Sequence, residues 1–136
     1  MSNIVEVVAA DRNLAVLARG LQVVGLEELL SKEGPFTVFA PSDLAFGKLQ
    51  EGQWPDLMKA ENKVRLTEMM NNYVVRGKIN FKNFTDGQQL STLGSRKLAV
   101  KVTNGDVAIE GARIQRKDME ASNGVVHSLD SVVSLN

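Results

Sequence analysis

The run from Gly34 to Leu49, GPFTVFAPSDLAFGKL, leaves little freedom in how this chain can fold. Phe36-Thr37-Val38-Phe39-Ala40 is aromatic and β-branched, bounded by Gly34-Pro35 and Pro41, which is the pattern of a short buried strand. Pro41 holds Ala40 extended and, having no N–H to donate, ends the ladder. Ser42 then stands in N-cap position with Asp43 in the first turn, where a negative charge complements the helix dipole. Leu44, Ala45, Phe46 and Leu49 follow at helical spacing. The stretch predicts a strand running directly into a capped helix. It speaks of packing and says little about chemistry.

Upstream, Ser2 or Asn3 is placed to cap a first short helix with Ile4, Val5 and Val8 on its apolar side. A second helix is expected from about Asp11, since Leu14, Leu17, Ala18 and Leu21 recur at helical spacing before Gly25, a natural C′ residue. Gly20 lies inside that pattern and implies a close packing contact. Leu26, Leu29 and Leu30 predict a further turn or two. Downstream, residues 51–55 read as a loop that Trp54 pins to the core, and Val64, Leu66, Met69, Met70 and Tyr73 line another helix. The period then changes from helical to alternating. Strands are predicted over 88–93, 97–102, 112–115 and 125–135, and Asn104-Gly105 marks a two-residue hairpin turn after which Val107 and Ile109 resume the alternation. Helices in the first half and strands in the second argue for an α+β domain, with helices packed on one side or end of a largely antiparallel sheet. One domain over residues 1–136 is expected, since nothing reads as a linker or repeat.

Composition excludes several kinds of chemistry. Lys plus Arg balances Asp plus Glu at 16 each, so no nucleic-acid partner is implied. With no cysteine, disulfides, thiol nucleophiles and zinc–thiolate sites are ruled out. No apolar run approaches the ~20 residues that span a bilayer. The residues Met1-Ser2-Asn3 do not form the basic start of a secretory signal.

A second landmark is Asn123-Gly124-Val125-Val126-His127-Ser128-Leu129-Asp130. Together with TVFAPSDLAF at residues 37–46 it resembles the fasciclin domain family, which carries one motif of the form T-V-F-A-P-[ST]-[DN]-x-A-F and a second of the form N-G-V-[VI]-H-x-[IL]-D. The resemblance implies a wedge of β-sheet with several N-terminal helices. It makes Thr37, Ser42, Asp43, Asn123, Gly124, His127 and Asp130 the structural motif, and the two motifs are expected to pair side by side in the core. It also implies a non-catalytic cell-adhesion or surface-interaction module of the beta-Ig-H3 type, binding a protein or extracellular-matrix partner. The chain departs from the family where a Tyr-His pair usually precedes V-V-x-G. Here Asn72 takes the tyrosine position and Tyr73 the histidine position. In animal relatives that region is implicated in integrin binding, so the departure weakens the case for that partner. An Asp-Ile adhesion element is matched only partly, by Asp118-Met119. Asn72, Tyr73, Arg76, Asp118 and Met119 are therefore the candidate partner-binding residues.

An enzyme would have to use His127, the only histidine, with Asp130 and Ser128 or Ser131. Strand alternation points 127 and 128 to opposite faces, and likewise 127 and 130, which opposes such a triad. His127 is instead expected to be buried and bonded internally, to the hydroxyl of Thr37 or Ser42. No metal-ligand spacing or phosphate-binding glycine pattern occurs, so no cofactor is expected. Asn83-Phe84-Thr85 matches the N-glycosylation sequon. The alternative function is a soluble small-molecule or polysaccharide-binding protein. The expected state is a monomer or weak self-association. The expected location is extracellular, cell-surface or periplasmic after loss of a signal that this chain does not carry, with the cytoplasm as the alternative.

Overall fold

In the computed structural model, residues 2–32, 34–47, 63–94 and 97–132 are described. At the centre, β1 (Phe36–Pro41) lies parallel to β8 (Gly124–Leu129), in register from Phe36 opposite Gly124 to Pro41 opposite Leu129. The two sequence motifs are thus neighbours. Every residue of both strands is buried. Parallel strands covered on both faces lose the in–out alternation, as the aromatic and β-branched run of β1 shows. The expected alternating strand over 125–135 is corrected accordingly: β8 stops at Leu129 and has two covered faces. Val133 and Leu135 lie outside the described residues, as do Leu49 and Trp54.

The other pairings among the described strands are antiparallel. β2 (Val74–Arg76) and β7 (Met119–Ala121) flank the central pair, giving the order β2-β1-β8-β7. A second sheet runs β3 (Gln89–Ser91), β4 (Lys97–Thr103), β5 (Asp106–Ile109) and β6 (Ala112–Arg113). Asn104 and Gly105 join β4 to β5 with φ of 50° and 87°, the turn geometry that Asn-Gly supplies. β7 falls where the sequence read as a loop. Three residues between Asp118 and Ser122 carry too short a pattern to be seen without the pairing to β8.

Alternation on the central sheet separates two cores. Phe36, Val38, Ala40, Val74 and Val126 face the helices: α1 (Ile4–Ala10), α2 (Ala15–Val23), α3 (Leu26–Leu30), α4 (Asp43–Gly47) and α5 (Lys63–Asn71). Phe39, Tyr73, Val75 and Leu129 face Phe84, Leu90, Leu98 and Ile109 of the second sheet and its approach. The result is an α+β architecture of helices, central sheet and second sheet in sequence.

The motif residues tie these layers together through helix ends. Asn3 and Glu6 form a reciprocal capping box on α1. The helix expected from Asp11 begins only at Ala15, because Asp11 Oδ1 accepts the Asn13 N–H and holds residues 11–13 in a turn. α2 has no side-chain cap of its own; Asp43 Oδ1 accepts its Val16 N–H at 2.8 Å. Ser42 Oγ accepts the Ala45 N–H and caps α4. Asn123 Oδ1 accepts the Ile4 N–H at the start of α1, while its Nδ2 donates to the carbonyls of Leu30 at the end of α3 and Lys32 just beyond it. Asp130 Oδ1 accepts the Arg113 N–H and secures β6 to the end of β8.

Gly124 is required by this close approach. A Cβ there would run into the Phe36 carbonyl and the Ile4 side chain. Gly124→Ala is expected to destabilise the fold by about 1–3 kcal/mol, as overpacking does. A urea titration checks this, and an unchanged midpoint would contradict the β1–β8 spacing.

Candidate interaction surface

Beyond Arg76 the chain turns at Gly77, φ 97°, and residues 77–81 cross the face of the central sheet that looks toward the second sheet. The polar groups beneath stitch this crossing segment down. Thr37 Oγ1 donates to the Gly77 carbonyl at 2.6 Å and accepts the Ile79 N–H at 2.9 Å. One strand further across, His127 Nε2 meets the Ile79 carbonyl at 2.8 Å. At the far edge, Asp118 Oδ1 accepts the Phe81 N–H at 2.8 Å and an Asn80 amide N–H at 3.2 Å.

His127 joins this segment to the loop over residues 116–120. It has 0% exposure, stacks near Phe39 with ring centroids 6.0 Å apart and meets Phe84 edge-on at 5.4 Å. Its Nδ1 accepts the Asp118 N–H at 3.1 Å. Because Nδ1 must accept, Nε2 carries the proton and donates to Ile79: both bonds call for the neutral ring. Burial pushes the imidazole pKa below its ordinary 6.5, outweighing the Ile79 carbonyl and the carboxylates of Asp118 and Glu120, which act the other way. The expected bonds to Thr37 and Ser42 are corrected. Thr37 serves the same crossing segment one strand away, and Ser42 caps α4.

The hydrolase arrangement is not assembled. Ser128 Oγ accepts the Arg116 N–H, the Ser131 hydroxyl donates to Asp130, and the bonds of the His127 ring nitrogens go to backbone groups. No group of three or more His, Cys, Asp or Glu residues is placed to hold a metal ion among the described residues.

Outward from His127 lies a charged, exposed patch. Lys78 Nζ meets Glu120 Oε1 at 2.8 Å, and Lys117 Nζ sits 4.2 Å from the centre of the Phe81 ring. Asp118 adopts φ 55°. Burial works against its charge, but the Phe81 N–H, the Asn80 amide and the nearby positive charge of Lys117 hold its carboxyl below the usual value. Alongside, a groove of about 590 Å³ runs between α1 and β7, lined by Glu6, Val7, Asp11, Arg12, Arg116, Met119 and neighbours. Arg116 bridges it to Asp11 at 2.6 Å.

The five candidate partner-binding residues do not share one surface. Asn72 and Tyr73 are corrected: at 2% and 0% exposure they belong to the interior. Tyr73 packs in the core between the sheets, and Asn72 Oδ1 accepts the Thr92 hydroxyl. Arg76 is exposed on β2, at the opposite edge of the sheet from β7 and roughly 14 Å away by strand spacing. Asp118 lies in the patch, while half-buried Met119 turns to the helix side and the groove. Lys78, Asn80 and Phe81 were not singled out from the sequence, and Lys117 and Glu120 entered only as part of the loop over residues 116–120. Their meeting spans some forty positions, and no local spacing reports it.

Comparison with known proteins places this geometry. The family described as Fasciclin domain matches residues 12–135. Protein sll1483 of Synechocystis is 38% identical over 130 residues, covering 96% of this chain and 72% of that protein. Transforming growth factor-beta-induced protein ig-h3 of Sus scrofa is 29% identical over 133 residues, covering 98% of this chain and 19% of the larger protein. A solved FAS1 domain pair from the insect cell adhesion molecule Fasciclin I superposes with a TM-score of 0.86 at 16% identity, covering 98% of this chain and 51% of that one.

The burial of Tyr73 and His127 sets their expected effects. Tyr73→Ala should cost about 3–5 kcal/mol as a large-to-small core change. His127→Ala should cost about 1–3 kcal/mol by leaving the Asp118 N–H and Ile79 carbonyl unpaired. Denaturant unfolding of both variants checks this. A Tyr73→Ala protein as stable as the parent would return that residue to the surface.

Proposed function

The chain belongs to the fasciclin domain family, and from that premise we propose that it is a non-catalytic interaction module, engaging a protein or polysaccharide at a surface as an adhesion domain does. The observation that carries this reading is the patch formed by residues 77–81 and 116–120. Its backbone is fixed from below by Thr37 and His127, while Lys78, Asn80, Lys117, Asp118 and Glu120 present both charge signs outward. A rigid backbone with exposed mixed charge suits recognition of a complementary polar surface, because little ordering entropy is lost on binding. Of the five sequence candidates Asp118 remains in the proposed contact region, and Arg76 lies outside it on the far edge of the sheet. Both ring nitrogens of the only histidine are bonded to backbone groups, which supports the non-catalytic reading. Action outside the cytoplasm, as a monomer or weakly self-associating domain, is part of the same proposal.

A second reading rests on the groove between α1 and β7. Its volume of about 590 Å³ and its lining of Arg12, Arg116, Glu6, Asp11 and Met119 would fit a short polysaccharide segment or a small polar molecule.

Charge reversal separates the two. Lys78→Glu with Lys117→Glu should reduce attachment to cell-surface or matrix preparations about tenfold, equivalent to about 1.4 kcal/mol, with a nearly unchanged melting temperature. Arg12→Glu should leave that attachment intact. Attachment lost only in the Arg12 variant, with a matching signal on a glycan array, would favour the groove instead.

A further inference from the structure

We propose that the interaction patch is a pH-gated surface, closed and competent near neutrality and opened when His127 takes up a second proton. The inference rests on the interaction reading above for its consequence, but its physical basis is independent of any partner. His127 is the only histidine in the chain, so side-chain charge changes between pH 7 and 5 centre on one group. That group sits at the joint of the patch, with one ring nitrogen holding the loop over 116–120 and the other holding the crossing segment.

Protonation has a definite structural effect. A proton on Nδ1 would face the Asp118 N–H, donor against donor, so the bond that fixes the loop is lost. The charged groups on the elements packed around the ring are Lys78 on the crossing segment, Lys82 on the following turn, and Arg116, Lys117, Asp118 and Glu120 on the loop and β7; β1 contributes the neutral ring of Phe39. The two carboxylates that could receive an imidazolium are engaged elsewhere. Asp118 is held by Phe81 and Asn80, and Glu120 by Lys78. Pairing with either therefore requires the loop to turn. The remaining contacts across the patch are exposed and contribute little to holding it closed.

The sign follows from the direction of the histidine's shift. Its folded pKa lies below 6.5, so the proton binds preferentially to the open form. Closure is therefore fully favoured above about pH 6.5 and weakens as pH falls from there toward the folded pKa. Each pH unit in that window lowers the closed-to-open ratio by up to about tenfold.

Amide hydrogen exchange on the protein alone tests the gate. The protection factors of the Asp118 and Phe81 amides should fall severalfold, by at most about fivefold, between pH 6.5 and 5.5, while amides in the β4–β5 hairpin keep theirs. His127→Gln should abolish the pH dependence; if that variant does not fold, the parent's exchange against pH decides. Constant protection at Asp118 and Phe81 from pH 7 to 5 would overturn the gate, and so would loss shared equally with β4 and β5. Attachment that is abolished by the charge reversals yet indifferent to pH would leave the interaction reading standing and remove the gate. Pronounced pH-dependent exchange in a protein that attaches to nothing would do the reverse.

Discussion

The parallel pairing of β1 with β8 brings together segments from opposite ends of the chain and buries both on both faces. Such a pair cannot turn its polar side chains to water, so each one needs an internal partner. Three buried polar residues lie on these strands within the register: Thr37, His127 and Ser128. Each is bonded to the backbone of a segment lying over the sheet, at residues 77 and 79, at 79 and 118, and at 116 respectively. Among the described residues, no buried side-chain nitrogen or oxygen is left unpaired. Burying the central pair thus dictates where the covering loops must run.

The same economy appears at the helix ends. Short helices of five to nine residues are unstable in isolation and need their terminal groups satisfied from outside. Asp43 supplies a cap to α2, which follows a leucine and has none of its own, and Asn123 serves α1 and the end of α3 together. Residues that look like local signals in the sequence act across the fold. Asp43 reads as a first-turn acid for its own helix, and its carboxylate in fact accepts from a residue 27 positions earlier.

What was legible in the sequence follows from the range of each interaction. The strand from Phe36, the Asn3 cap, the Gly25 break and the Asn104-Gly105 turn depend on neighbours within a few residues, and they appear where the pattern puts them. The late start of α2 and the existence of β7 depend on Asp11 and on pairing to β8, and no periodicity carries either. The site was read least well. Tyr73 and Asn72 stood out because they depart from a family pattern, but burial is a property of the assembled layers, and both lie inside. Lys78, Lys117 and Glu120 look like ordinary solvated charges until residues 77–81 are laid over β8.

This division of labour has a consequence for what the patch can tolerate. Its backbone path is set by Thr37 and His127 below, whereas its outward side chains make exposed contacts such as Lys78–Glu120, of the kind worth little to stability. Changing the outward residues alters the chemistry offered to a partner while leaving the path intact. Changing the inward ones alters the path and the fold together. His127 is the point where the two are joined, since it is buried like a core residue yet holds both halves of the surface through an imidazole whose pKa burial lowers from its ordinary value. A partner that recognises the closed arrangement of 77–81 against 116–120 is therefore coupled through this ring to the proton, although no charged group of the ring reaches the surface.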